Sequence, residues 1–177
     1  PAFIRYPRGN GEGVEVKNQP ALIEIGKAEV LQNFSNNEKP RVAFFALGPM
    51  RAIANAAIGK LGAENIDAAI INPRFTKPID GGTTEFFAEA AEVVVTIEDH
   101  VLRGGYGGIV RDHLAECGIN TPVVRIGWPD QFIEHASSVD YLRDKHGLTG
   151  ANTAKQIRQA LGQVADAEAK PNQAAGR

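Results

Sequence analysis

Four short and almost uninterrupted apolar runs constrain the fold more than any other feature of the chain. They are Arg41-Val-Ala-Phe-Phe-Ala-Leu-Gly48, residues 66–72, Glu92-Val-Val-Val-Thr-Ile-Glu98 and Pro122-Val-Val-Arg-Ile126. The Arg41–Gly48 run lacks the apolar–polar alternation of a half-exposed strand, and strands covered on both faces read this way. Helical spacing lies between them. Pro49 suits a helix start, Ile53, Ala56, Ala57, Ile58 and Leu61 form an apolar stripe, and Gly62 is the expected stop. Thr83 or Thr84 is the expected cap of a short helix through Ala91. Gly104-Gly-Tyr-Gly-Gly108 leads into a helix over about 107–117. Ser137 or Ser138 caps another near 138–146, and a last one runs from Thr149 to Ala165 with Ile157, Leu161 and Val164 on one face. Strand and helix alternate, the signature of an α/β sandwich on a mainly parallel sheet.

The N-terminal part is different. Residues 1–6 read as a strand, and the glycines at 9, 11 and 13 mark a loop or linker. Residues 21–32 read as a strand with Gly26 as a bend or bulge, followed by turn residues at 33–40. The expected organisation is a remnant and linker over 1–20, one domain over 21–165 and a disordered tail over 166–177. The chain opens on Pro1, and its sole methionine is Met50, as expected of a processed chain or a piece of a longer polypeptide. A net charge of −2 over 177 residues argues against nucleic acid as a partner, since such domains usually have a pI above ~9. No apolar run reaches the ~18–20 residues that span a bilayer, so no membrane partner is expected. The lone Cys117 forms no internal disulfide.

Few residues suggest chemistry. None of His100, His113, His135 and His146 forms a His-Glu-x-x-His motif, and none is read as pairing with Cys117 at ligand spacing, so no metal is expected. Cys117 is expected to be a buried small hydrophobe. Gly104, Gly105 and Gly107 lie between a buried strand and a helix, where helix N–H groups can hold an anion. Val110 stands where a dinucleotide fingerprint has Gly or Ala, and no Walker lysine is present. Close packing or a subunit contact is the better reading of these glycines. Arg8 sits between Pro7 and Gly9 and is either a solvated linker residue or a rigid fork for phosphate or carboxylate. Arg74 and Lys77, in Asn72-Pro-Arg-Phe-Thr-Lys-Pro-Ile-Asp80, are expected to pair within the loop or across an interface.

Five segments, in order, carry a resemblance. They are Ile4-Arg-Tyr-Pro-Arg-Gly9, Ile25-Gly-Lys-Ala-Glu-Val30, Ala69 through Asp80, Val95-Thr-Ile-Glu98 with Gly104-Gly-Tyr-Gly107, and Pro129-Asp-Gln-Phe-Ile-Glu-His135. Over residues 1 to about 162 the chain resembles the C-terminal domain of the 1-deoxy-D-xylulose 5-phosphate synthase family, thiamine-diphosphate-dependent relatives of transketolase. Asn72-Pro73 and Ala136 depart from that family's usual pattern. The resemblance implies a three-layer α/β/α sandwich on a five-stranded, mainly parallel mixed sheet with one antiparallel edge strand near residues 22–31. It implies a cytoplasmic, homodimeric transferase of isoprenoid and thiamine biosynthesis, with thiamine diphosphate and Mg²⁺ held by preceding domains of the same polypeptide. This region is then structural and dimer-supporting, holds no catalytic residue or cofactor and is silent alone. By the resemblance, Arg8 contacts the phosphate of glyceraldehyde 3-phosphate, with Tyr6 beside it, and pyruvate is the second small-molecule substrate. The alternatives are the matching region of a 2-oxo-acid dehydrogenase β-subunit or of transketolase, and a free-standing anion-binding module that uses the glycine cluster.

Overall fold

The structure is a computed structural model that describes residues 1–6, 15, 18–35, 40–135 and 137–168. Its elements follow the expected alternation: β1 Glu29–Gln32, β2 Arg41–Ala46, α1 Arg51–Leu61, β3 Asp67–Asn72, α2 Gly81–Glu89, β4 Val93–Val101, α3 Tyr106–Glu116, β5 Val123–Trp128, α4 Val139–Lys145 and α5 Gly150–Glu168. The strands form one five-stranded sheet in the order β1-β3-β2-β4-β5. β1 runs antiparallel to β3, and the other neighbours are parallel.

Period-two geometry divides the core in two. Val42, Phe44 and Ala46 of β2 face one side, with Val93, Val95 and Ile97 of β4, and pack with α1 and α5 through Ile53, Ala57, Leu61 and Ile157. Ala43 and Phe45 face the other, with Ala69, Ile71 and Val94, and meet α2 and α3 through Phe87, Tyr106, Val110 and Leu114. The sandwich therefore has three layers, and both faces of the central strands are covered. That is the physical reason their sequences read as continuous apolar runs. No helix among the described residues is long and apolar enough to cross a membrane.

Several boundaries differ from expectation. Residues 1–6 form no strand, and Phe3 and Ile4 stand exposed, because no described strand lies beside them to pair with. The strand expected over 21–32 shrinks to Glu29–Gln32. Leu22, Ile23 and Ile25 ahead of it are exposed, and Gly26, at φ +73°, turns the chain before pairing begins. Gly62 ends α1 as expected, but the chain continues into a 3-10 turn, Gly62–Glu64, and the left-handed residue is Asn65. The last helix continues past Ala165 to Glu168, into the stretch expected to be disordered. Ser138 caps α4 as expected, its hydroxyl accepting the Tyr141 N–H at 3.2 Å.

The cap of α2 is the most informative correction. Neither Thr83 nor Thr84 caps it. Asp80 does, one Oδ accepting the Thr83 N–H at 3.1 Å and the other the Ala28 N–H at 3.0 Å. One buried carboxylate thus stitches the approach to β1 onto the start of α2. Burial alone would raise the Asp80 pKa, but the Ala28 and Thr83 N–H donors, with the Thr83 hydroxyl and the Lys27 charge, together outweigh it and hold the carboxyl below its ordinary value. A lowered carboxyl pKa contributes stability above the unfolded-state value and loses it as pH falls through the folded one. Asp80→Ala removes a cap worth about 0.5–2 kcal/mol and leaves the Ala28 N–H unsatisfied at about 1–3 kcal/mol. We expect a loss of about 2–4 kcal/mol in urea denaturation at neutral pH, shrinking toward zero as Asp80 becomes protonated in acid.

Candidate functional site

In open α/β sheets, crevices for ligands form beyond the carboxyl ends of strands whose following helices lie on opposite faces. Here that point lies between the adjacent strands β2 and β4, which lead to α1 on one face and α3 on the other. The glycine cluster is at this point. Glu98, in β4 and 1% exposed, turns its carboxylate into the N-terminus of α3. Oε2 accepts the Tyr106 N–H at 2.7 Å and Oε1 the Gly107 N–H at 2.9 Å. These are the N–H groups a phosphate would use, at the positive end of the helix dipole.

Gly105 and Gly107 each have a steric reason. A Cβ on Gly105 would lie 2.6 Å from the Val101 carbonyl oxygen and 2.7 Å from the Glu98 carboxyl carbon. On Gly107 it would meet Thr96 Oγ1 and come within 2.8 Å of Arg125 Cγ. Gly104 has φ +70°, while a Cβ on Gly108 would meet nothing within 4 Å. Burial first, then the charges of Glu98 and Asp80, push the Tyr106 phenol far above its ordinary range.

The other charges of this edge are also paired within the domain. One Asp99 oxygen accepts the Trp128 indole N–H at 2.6 Å, and the other faces Arg143 at 3.3 Å. The Asp99 carbonyl accepts the Arg5 guanidinium at 2.6 Å, which brings residues 1–6 to the carboxyl edge of the sheet with Tyr6 exposed. Glu134, from the Pro129–His135 motif, binds Lys145 and lies 3.0 Å from His146 Nε2. The Lys145 ammonium is the first cause that holds the Glu134 carboxyl down to about 2. Arg103 lies 3.2 Å from Asp130. Arg74, at φ +58°, donates to Glu29 of β1 at 2.8 Å, a partner outside its own loop. Lys77 is exposed and precedes the cis Pro78. Arg8 lies outside the described residues. A polar cleft of about 210 Å³ opens beside Leu102, Gly127 and Pro129, below the ~300 Å³ of ordinary ligand pockets.

The structure assembles two groups that sequence reasoning missed. Glu98 was legible only as the end of an apolar run, although a carboxylate before a glycine cluster and a helix start is a detectable signal. The second group corrects two expectations. Cys117 is exposed, not buried. His113 does pair with Cys117 at ligand spacing, since four residues along α3 place both on one face, with Glu85 of α2 opposite. The spacing of 113 and 117 was the available signal, and only the packing of α2 on α3 reveals the third member.

Comparison with known proteins agrees with this geometry. Residues 26–152 match the family "Transketolase, C-terminal domain". The chain is 49% identical over 161 residues to a 1-deoxy-D-xylulose-5-phosphate synthase of Methylacidiphilum infernorum, covering 91% of this chain and 25% of that protein. It is 45% identical over 149 residues to the synthase of Acidobacterium capsulatum, covering 84% and 23%. The chain thus spans about a quarter of the length of these relatives. A solved structure described as "Split gene transketolase, inactive beta4 tetramer" superposes with a TM-score of 0.69 at 34% identity, over 79% of this chain and 44% of that one. With the mixed five-stranded sheet, its antiparallel edge and a family match that covers most of the sandwich, the chain belongs to the transketolase C-terminal domain family.

Proposed function

We propose that this chain is the C-terminal domain of a cytoplasmic, homodimeric, thiamine-diphosphate-dependent synthase that condenses pyruvate with glyceraldehyde 3-phosphate to 1-deoxy-D-xylulose 5-phosphate, and that it is structural and silent alone. The observation that carries the reading is the 49% identity to one such synthase across 91% of the chain. The solved split-gene relative is described as inactive and as a β4 tetramer, which supports both silence and self-association. Phe3, Leu22 and Phe132 expose their whole side chains, which supports docking against further domains.

The described residues do not fit thiamine diphosphate. The helix N-terminus that could cradle its phosphates is filled by the Glu98 carboxylate, and a diphosphate there would meet like charge. When bound elsewhere in the enzyme the cofactor supplies the carbanion chemistry. This chain's contribution is to position. Titration calorimetry of the chain with thiamine diphosphate and Mg²⁺ is expected to show no saturable binding, and a dissociation constant of about a micromolar or tighter would overturn the reading.

Gly104, Gly105 and Gly107 are proposed to seat Glu98 and to present a packing surface to a neighbouring domain or subunit, not to hold a nucleotide. Gly105→Ala and Gly107→Ala force Cβ into occupied space and are expected to cost about 1–3 kcal/mol or more. Gly108→Ala lies in a helix with open space and is expected to be neutral or to stabilise by about 0.5–1 kcal/mol. Equal effects at all three positions in chemical denaturation would remove this account.

Arg8 is proposed to bind the substrate phosphate, with Tyr6 beside it. The support is its place in the Tyr6-Pro-Arg-Gly9 motif, where Pro7 restricts the backbone and a guanidinium matches phosphate oxygens in pairs. Loss of a charge-assisted contact of about 1.5–3 kcal/mol is roughly a 10–150-fold weakening. In the full-length enzyme Arg8→Ala is expected to raise the KM for glyceraldehyde 3-phosphate by that factor and that for pyruvate far less. Arg8→Lys is expected to restore part. Equal losses for both substrates in steady-state kinetics would identify a structural linker arginine.

A further inference from the structure

Glu85, His113 and Cys117 lie on the outer side of the α2–α3 layer, away from the carboxyl edge of the sheet. Their potential ligand atoms all fall within 4.8 Å of one another. His113 Nε2 is 2.9 Å from Glu85 Oε1 and 3.9 Å from Cys117 Sγ. A tetrahedral zinc ion, with bonds of roughly 2.0–2.3 Å, needs N···O and N···S separations of roughly 3.4 and 3.6 Å. Both pairs that include His113 are therefore about half an ångström or less from that geometry, within reach of small side-chain rotations, and the Glu85–Cys117 pair lies within 4.8 Å. His113 and Cys117 share one face of α3, so the helix itself sets two of the three ligands.

One further observation points to a cation. It is Gly81, one turn before Glu85 on α2. A Cβ there would lie 2.9 Å from His113 Cε1, 3.0 Å from His113 Nε2 and 3.2 Å from Glu85 Oε1. The glycine keeps clear the space around the two donor atoms.

We propose that Glu85, His113 and Cys117 form a three-ligand site for a borderline-soft divalent cation, zinc first, with its fourth position open to water. The donor set of one imidazole nitrogen, one sulfur and one carboxylate oxygen suits zinc and excludes a calcium- or magnesium-type oxygen cage. The side chains of His113 and Glu85 are 21% and 40% exposed and Cys117 is exposed, so the ion can enter from solvent without the fold opening. Bound there, it ties α2 to α3. The site is independent of the proposed synthase activity, and its test does not use catalysis.

The untagged chain, stripped with chelator and kept reduced, is titrated with Zn²⁺ by calorimetry and with Co²⁺ by absorption spectroscopy. The expected result is one equivalent bound, a thiolate-to-cobalt charge-transfer band, intense tetrahedral ligand-field bands and a higher melting temperature with zinc. Cys117→Ser is expected to abolish the charge-transfer band. It and His113→Gln should each weaken binding at least tenfold. Gly81→Ala should also weaken it by crowding the donors. Cys117 is exposed, so its serine variant keeps the fold, and circular dichroism checks this. Absence of saturable binding would overturn the proposal. So would binding that survives both Cys117→Ser and His113→Gln unchanged, since the ion would then sit at other histidines.

Discussion

The bond between the Glu98 carboxylate and the first N–H groups of α3 organises this domain. β4 lies between β2 and β5, and its carboxyl end is where the chain must leave the sheet and start a helix on the α2–α3 face. A helix N-terminus leaves N–H groups unsatisfied, and burying them without partners is costly. Glu98 satisfies two of them and places its charge at the favourable end of the helix dipole, which makes an almost fully buried carboxylate tolerable. The side chain can reach only because Gly105 leaves its path open. A turn that could cradle an anion is thereby converted into a rigid joint.

The neighbouring polar groups extend that rigidity. Asp99, next to Glu98 in β4, takes the Trp128 indole at the end of β5 and the Arg143 guanidinium from α4. Its own carbonyl receives Arg5 from the N-terminal segment. Glu134 ties the loop after β5 to Lys145 and His146 at the end of α4. On the opposite edge, Asp80 joins the approach to β1 to α2, and Arg74 reaches Glu29. Charges committed in this way hold loops in place and are not free to act on a substrate. A scaffold that holds loops in fixed positions fits this pattern.

The central strands and most helices were legible in the amino-acid order because each signal is local. The apolar runs of β2 and β3 report burial on both faces, and Ile157, Leu161 and Val164 report one face of α5. Errors arose where a partner distant in sequence makes the decision. Thr83 and Thr84 have good capping chemistry, but Asp80 is held in place by Ala28, 52 residues away, and takes the cap. Residues 1–6 and 21–25 have strand-like composition, but a strand requires a neighbour to accept its hydrogen bonds, and the described sheet offers those residues none.

The sequence by itself determined the class of the fold, the number and order of its buried strands, and the family, because periodicity and short motifs are properties of consecutive residues. Tertiary structure alone decided what the polar residues do. The glycine cluster could have served a phosphate, a subunit or a packed side chain, and only the orientation of Glu98 from β4 selects the last of these within the domain. His113 and Cys117 are neighbours on a helix in any reading, but Glu85 joins them only after α2 has packed on α3, with Gly81 allowing the close approach. Hydrogen bonds and ligand sets are made between side chains that packing brings to within about 3–4 Å, and such distances are set by the whole core, not by spacing along the chain.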